Sequence, residues 1–155
     1  MKSVLFICHG NICRSPMAEF IMKDMARKDG MTLRVNSAAV SYEEEGNDMY
    51  PPAKRVLHEH RVPFGNHSAH KVTDAEASEY DVIVIMDSSN RRLLSRILTP
   101  MNMSKVHMMM EYAGRDSDVS DPWYTGDFEK TYRDITEGCK GLLASLMNDE
   151  SGKNL

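Results

Sequence analysis

The stretch that decides the fold reads VLFICHGNICRSPMAEF and runs from Val4 to Phe20, close to the start of the chain. It begins as an apolar strand and continues as a helix, with Cys8 at the turn between them and Arg14 six positions later. The end of a buried strand and the start of a helix both leave backbone N–H groups without partners, and the helix dipole places positive charge there. The sequence therefore predicts an anion-binding loop at this junction.

The remainder of the chain alternates between short apolar segments and helical segments. We predict strands over 3–8, 32–38, 80–87 and 105–109, helices over 15–30, 51–60, 88–98 and 126–147, and a frayed end over 148–155. Strands that alternate with helices are typical of a parallel sheet joined by right-handed crossovers. The sequence thus predicts an α/β fold, a three-layer sandwich in which a four-stranded parallel sheet is flanked by helices on both faces.

Length, charge and cysteine content limit the class of protein. A chain of 155 residues is expected to form one domain spanning residues 1–155. The net charge of −4 disfavours binding to nucleic acid or to a membrane surface through bulk charge. Three cysteines do not make the framework of a secreted disulfide-rich domain, and no apolar run approaches the roughly 18 residues of a membrane helix. We therefore expect a cytoplasmic protein without a targeting or membrane segment.

The loop between Cys8 and Arg14 has the composition of a phosphate-binding turn. Gly10 permits a positive φ and Asn11 tolerates one, so the backbone amides can curl around a single oxyanion. The planar guanidinium of Arg14 can bind two oxygens of a phosphate at once. The same positive field favours the thiolate form of Cys8, which would then be a nucleophile directed at phosphorus.

The sequence CHGNICRSP, followed by AE at residues 18–19, resembles the phosphate-binding loop of the low-molecular-weight protein tyrosine phosphatases. Further segments continue the resemblance in order along nearly the whole chain: NSA at 36–38, YPPA at 50–53, His67, YDVIVIMDSSN at 80–90 and DPW at 121–123. The resemblance implies a monomeric enzyme that needs neither metal nor cofactor. Such an enzyme hydrolyses phosphotyrosine proteins and small aryl phosphate monoesters through a phosphocysteine intermediate.

The resemblance also implies roles for the residues at matching positions. Cys8 would attack phosphorus, Arg14 would bind the phosphate, and Asp121 would be the general acid that protonates the leaving phenolate. Ser37 and His67 would support the loop through hydrogen bonds. The substrate-binding set is expected to comprise His9, Gly10, Asn11, Ile12, Cys13 and Ser15 in the loop, with Tyr42, Trp123 and Tyr124 at the rim.

Other positions bear on regulation. By the same resemblance, Cys13 could form a reversible disulfide with Cys8 under oxidation and so protect the nucleophile. Ala39 stands where the family usually has a glycine. Trp123 and Tyr124 stand in place of the family's paired tyrosines, so regulation through phosphorylation of that pair is not implied.

Three other functions compete with this interpretation. Arsenate reduction on the same fold needs further redox cysteines after the third strand, and residues 87–100 contain none. Protein-arginine phosphatases of the same family tend to carry threonine where this chain has Ile12, so Ile12 favours aryl esters. A non-catalytic phosphate-binding module would lack the nucleophile or the acid, whereas Cys8 and Asp121 are both present.

Overall fold

The computed structural model describes residues 1–153, with side chains described through residue 149. The strands are β1 (Lys2–Cys8), β2 (Leu33–Ala39), β3 (Val82–Ile85) and β4 (Val106–Met108). The α-helices are α1 (Arg14–Lys28), α2 (Pro51–Glu59), α3 (Asp74–Ala77), α4 (Ser88–Leu94), α5 (Pro100–Met103), α6 (Pro122–Thr125) and α7 (Phe128–Lys153), and a 3₁₀ turn covers Met109–Ala113. The one-turn helices α3, α5 and α6 were not predicted, because four residues are too few to show a helical period.

The four strands form one parallel sheet in the order β2–β1–β3–β4. β1 is an interior strand, in which Cys8 pairs with Ala39 of β2 and Ile7 pairs with Ile85 of β3. The carboxyl ends of these strands therefore meet at one edge, where parallel sheets commonly bind ligands. The predicted α/β fold with a four-stranded parallel sheet is confirmed.

Side chains of β1 alternate between two apolar cores, because successive strand residues point to opposite faces. Val4 and Phe6 belong to a core that includes Leu142 of α7. Leu5 belongs to a second core, on the other face, that includes Leu94 of α4. Helices therefore cover both faces of the sheet, and the three layers are those that the sequence predicts.

Two glycines allow the last helix to approach the 3₁₀ turn closely. A Cβ atom on Gly141 would lie 1.9 Å from the carbonyl oxygen of Tyr112. A Cβ atom on Gly138 would lie 2.8 Å from the carbonyl oxygen of Met109. Glycine lowers the intrinsic helix propensity of this segment, but here it permits a backbone contact that no larger residue would allow.

Two helix ends differ from the predictions by more than two residues. α7 continues to Lys153, beyond its predicted end at residue 147, and the last two residues lie outside the described part of the chain. The fraying expected over 148–155 stays a prediction. α4 ends at Leu94 and does not continue to residue 98. Among the described residues, no helix combines the length and the apolar character needed to cross a membrane.

Candidate active site

A tight loop of residues 9–13 joins β1 to α1 at the carboxyl edge of the sheet. Cys8 is the last residue of β1, and Arg14 is the first residue of α1. Between them, Asn11 adopts a left-handed conformation with a φ of 61°. This conformation is unfavourable for residues other than glycine unless their surroundings hold them in it. The shape of the loop therefore depends on contacts made from outside it.

Hydrogen bonds to Asn11 supply those contacts. Its Nδ2 donates to Ser15 Oγ at 2.8 Å and to Ser37 Oγ at 3.0 Å, and its Oδ1 accepts from the backbone N–H of His70 at 3.3 Å. The backbone carbonyl of Asn11 accepts from His67 Nε2 at 2.6 Å. Asn11 is fully buried, so loss of these bonds would leave its amide group without water as a substitute. The structure thus brings both predicted supporting residues, Ser37 and His67, to the loop.

The sulfur of Cys8 lies beneath the first turn of α1. Its Sγ is 3.0 Å from Ser15 Oγ and 3.4 Å from the backbone nitrogen of Ser15. Both groups can donate a hydrogen bond to sulfur, and the helix dipole adds positive potential at the same point. This environment stabilises negative charge on the buried sulfur.

The guanidinium of Arg14 is buried beside the loop and is held by segments distant in sequence. Its Nη1 donates to Asp87 Oδ2 at 2.7 Å and to the carbonyl of Val119 at 2.9 Å, and its Nη2 lies 3.5 Å from Asp121 Oδ2. Burial opposes the charge on this side chain, but the sulfur of Cys8 and the two carboxylates outweigh burial and raise the pKa of Arg14. Arg14 is therefore a permanent cation fixed at the floor of the site.

Asp87 and Glu19 are site residues to which sequence reasoning assigned no role. Asp87 follows β3 and caps α4, where its Oδ1 accepts from the backbone N–H of Asn90 at 2.8 Å while Oδ2 accepts from Arg14. An Asp-x-x-Asn capping box directly after a buried strand was the signal that could have placed it at this edge. Glu19 accepts from Ser37 Oγ at 2.6 Å, and nothing in the sequence pattern indicates that contact.

Asp121 stands at the N-terminus of the one-turn helix α6. Its Oδ1 accepts from the backbone N–H of Trp123 at 3.1 Å, while its Oδ2 faces Arg14. The side chain is 28% exposed, so a ligand can reach it. The ring centroid of Trp123 lies 4.9 Å from that of Tyr50, and together they form an aromatic wall near the carboxylate.

One cleft brings these groups together. It is lined by Cys8, His9, Gly10, Ile12, Cys13, Arg14, Glu43, Glu44, Asp121, Trp123 and Tyr124. All three predicted catalytic residues are in this set, whereas Asn11 and Ser15 lie behind the loop and support it. Within the part of the chain that the structure describes, no three His, Cys, Asp or Glu side chains are grouped so as to hold a metal ion.

Tyr42 is the predicted rim residue that the structure does not bring into the cleft. It is 69% exposed, and Lys71 Nζ lies 4.4 Å from the centre of its ring. Its backbone carbonyl accepts from the N–H of Glu45, so Tyr42 begins a tight turn. The next two residues of this turn, Glu43 and Glu44, line the cleft instead.

Cys13 is a buried thiol of a different kind from Cys8. Burial raises the pKa of Cys13, and the negative charges of Cys8 and Asp121 add to that effect. Cys13 is therefore protonated at neutral pH and is not itself a nucleophile. Both cysteines are free, so the disulfide between them stays a prediction.

Sequence comparisons agree with this geometry. The sequence model of the family described as low molecular weight phosphotyrosine protein phosphatase matches residues 3–152. The chain is 36% identical over 155 residues to the low molecular weight protein-tyrosine-phosphatase YfkJ of Bacillus subtilis, with 97% of this chain and 99% of that protein covered.

Solved structures give the same result. The crystal structure of YfkJ matches with a TM-score of 0.92 and 36% identity over 96% of both chains. SP-PTP of Streptococcus pyogenes, a low molecular weight protein tyrosine phosphatase, matches with a TM-score of 0.87 and 35% identity over 99% of this chain and 98% of its own. The Drosophila arginine phosphatase DARP matches with a TM-score of 0.85 and 31% identity, over 94% of this chain and 98% of its own. The chain therefore belongs to the low molecular weight phosphotyrosine protein phosphatase family.

Proposed function

We propose that this protein is a cysteine-dependent phosphatase that hydrolyses phosphotyrosine and aryl phosphate monoesters through a phosphocysteine intermediate. The observation that carries the proposal is the convergence of Cys8 Sγ, the Arg14 guanidinium and the Asp121 carboxyl group on one cleft. A nucleophile, a cation that binds the phosphate and a general acid are the groups that this reaction requires. Membership of the family supports the same assignment.

In the first step, the loop amides and Arg14 bind the phosphoryl group above the Cys8 sulfur. The thiolate attacks phosphorus, and an S–P bond forms as the P–O bond to the phenol breaks. Asp121, protonated at this stage, donates its proton to the departing oxygen. The step leaves a phosphocysteine, a neutral phenol and an Asp121 carboxylate.

In the second step, the Asp121 carboxylate takes a proton from water while the water oxygen attacks phosphorus. A new O–P bond forms and the S–P bond breaks, which releases inorganic phosphate and restores the Cys8 thiolate. Ser15 Oγ, 3.0 Å from the sulfur, can donate to the thiolate as it leaves. Both steps use the same acid–base group in opposite directions.

The walls of the cleft favour an aromatic leaving group. Trp123 and Ile12 line it, and Tyr50 packs behind Trp123. A phenyl ring on the phosphate would bury apolar surface against these side chains. Phosphoserine has no ring to make this contact, so we expect phosphotyrosine to be the better substrate.

Phosphoarginine is a second candidate substrate, supported by the likeness to the arginine phosphatase DARP. Ile12 lines the cleft and offers no hydroxyl group to a guanidinium. An apolar side chain at this position favours an aryl ester over a charged phosphoarginine.

Placement in the cytoplasm, a monomeric state and a single domain over 1–155 stay predictions.

Two assays test the proposal. The first measures hydrolysis of para-nitrophenyl phosphate, which we expect to be unaffected by EDTA and blocked by vanadate, a mimic of the transferring phosphoryl group. Activity that EDTA removes and a metal ion restores would contradict the mechanism. The second compares phosphotyrosine, phosphoserine and phosphoarginine peptides of one sequence, and phosphotyrosine should have the highest kcat/KM.

A further inference from the structure

The mouth of the cleft carries a pair of carboxylates that the two chemical steps do not use. Glu43 and Glu44 line it together with Asp121, so three of its lining residues are acidic. Among the lining residues in the described part of the chain, Arg14 is the single permanent cation, and it is buried at the floor. A substrate chain that approaches the mouth therefore meets negative charge, although the phosphate itself is an anion.

Glu44 is anchored to the phosphate-binding loop. Its Oε2 accepts from Asn47 Nδ2 at 2.7 Å. Its Cγ packs so closely on the loop that a Cβ atom added to Gly10 would lie 3.2 Å away. One hydrogen bond within its own turn and one contact with the loop thus place the Glu44 side chain at the entrance.

Glu43 extends the negative surface outward. Its side chain is 68% exposed, and its Oε2 lies 3.1 Å from Nε2 of His9, another lining residue. Most of the Glu43 side chain faces solvent, so its carboxylate is open to an approaching substrate chain. Exposed charges at the rim of a binding site change association rates and discriminate between partners more than they change the chemistry.

We propose that Glu43 and Glu44 make this enzyme prefer phosphotyrosine in basic segments of a protein over phosphotyrosine in acidic segments. The inference rests on the proposed function, because it concerns substrates of the same cleft. The floor neutralises the phosphate, so the residues that flank the phosphotyrosine are the ones that meet the two carboxylates. Lysine or arginine at those positions gains an ion pair, whereas aspartate or glutamate is repelled.

The expected size of the effect follows from typical surface pairs. One exposed ion pair changes an equilibrium by a factor of up to about five. Two carboxylates acting on flanking residues therefore predict a preference of roughly tenfold in kcat/KM for basic over acidic peptides. Salt should reduce the preference, because a Debye length of about 8 Å at physiological ionic strength already screens exposed charges.

The test uses three phosphotyrosine peptides that differ only in their flanking residues, which are lysine, serine or glutamate. In the unmodified protein, kcat/KM should fall in that order, and the lysine-to-glutamate ratio should shrink as salt is added. In the double variant Glu43→Gln/Glu44→Gln the ratio should fall to within about twofold of unity. Because the ratio is taken within one protein, a partial loss of folded enzyme does not affect it.

Glu45→Gln is the matched control. It removes one carboxylate from the turn from which the double variant removes two, but Glu45 does not line the cleft and its Oε2 accepts from the backbone N–H of Lys71. This variant should keep the lysine-to-glutamate ratio. Equal rates on all three peptides, or an unchanged ratio in the double variant, would overturn the inference while leaving the phosphatase assignment intact. Absence of para-nitrophenyl phosphate hydrolysis in the unmodified protein would instead overturn the proposed function.

Discussion

The floor and the mouth of the cleft are built in opposite ways. At the floor, Asn11 and Arg14 are buried, and Arg14 bonds to Val119, which lies 105 residues away in sequence. At the mouth, Trp123 is exposed, and its backbone bonds to Asp121 two residues away. The whole fold therefore fixes the phosphate-binding loop and Arg14, whereas short local turns present the acid Asp121 and the groups proposed for substrate choice.

This difference predicts how the two regions respond to mutation. A change at the floor removes a reacting group or leaves buried polar atoms without partners, so it should cost activity, stability or both. With the exception of the acid Asp121, a change at the mouth removes a contact that water can partly replace, so it should alter substrate preference and KM while the fold survives. The variants below test each half of this comparison.

Cys8→Ser should have the largest effect, because it replaces the nucleophile and leaves the anion-binding groups in place. We expect kcat for para-nitrophenyl phosphate to fall by at least about 10⁴-fold, since an alcohol at this position is far less ionised than a thiol. Titration calorimetry with inorganic phosphate should show that binding is retained. Retained turnover would remove Cys8 from the mechanism and, with it, the distinction between a reactive floor and a selective mouth.

Asp121→Asn should follow, with a loss that depends on the leaving group. An amide cannot supply the proton, so we expect a drop of about 10²- to 10³-fold in kcat/KM for phenyl phosphate, whose leaving group is poor. Para-nitrophenolate leaves without assistance, and its phosphate ester should lose much less. A loss of equal size for both esters would contradict the general-acid role, because removal of a structural contact does not depend on the leaving group.

Much of the floor can be predicted from the sequence, because its main signals are local. A buried strand, a loop with Gly10 and Asn11 at its turn, and a helix beginning at Arg14 together specify an anion site without reference to the rest of the chain. Alternating strands and helices also indicate the parallel sheet whose edge carries the loop. The contact between Arg14 and Asp87 lies beyond this reasoning, because the two residues are 73 positions apart and meet only once the strands are ordered.

The mouth is harder to predict because turns have no periodicity. Tyr42 resembles a rim aromatic in the sequence, but the turn that it begins directs Glu43 and Glu44 into the cleft. A shift of one residue in an irregular turn is enough to exchange an aromatic contact for a charged one. Neither composition nor spacing fixes the direction of a side chain in such a segment.

Asn11→Ala tests whether the floor depends on its distant supports. The change removes the hydrogen bonds to Ser15, Ser37 and His70, and places alanine at a φ of 61°. We expect the free energy of unfolding in urea to fall by about 2–3 kcal/mol and kcat/KM to fall by roughly tenfold.

Asn11→Gly separates the two causes of that loss. Glycine accepts the left-handed conformation, so part of the stability should return, but without the side-chain bonds the activity should stay low. Full activity in both variants would show that the loop keeps its shape without the supports, and the proposed contrast with the mouth would then be wrong.

Trp123→Leu should have the smallest effect on activity and tests the mouth directly. The indole packs at 4.9 Å from Tyr50 and leaves half of its surface open to a ligand. An aromatic contact of this kind contributes about 1 kcal/mol, so KM for phenyl phosphate should rise by roughly fivefold while kcat and the unfolding free energy change little. Tyr42→Leu is the matched control, because it deletes an exposed aromatic ring that lies outside the cleft, and it should leave KM unchanged. If the two variants raised KM equally, the exposed aromatic residues would act through a general surface effect, and the boundary drawn between Tyr42 and its acidic neighbours would not hold.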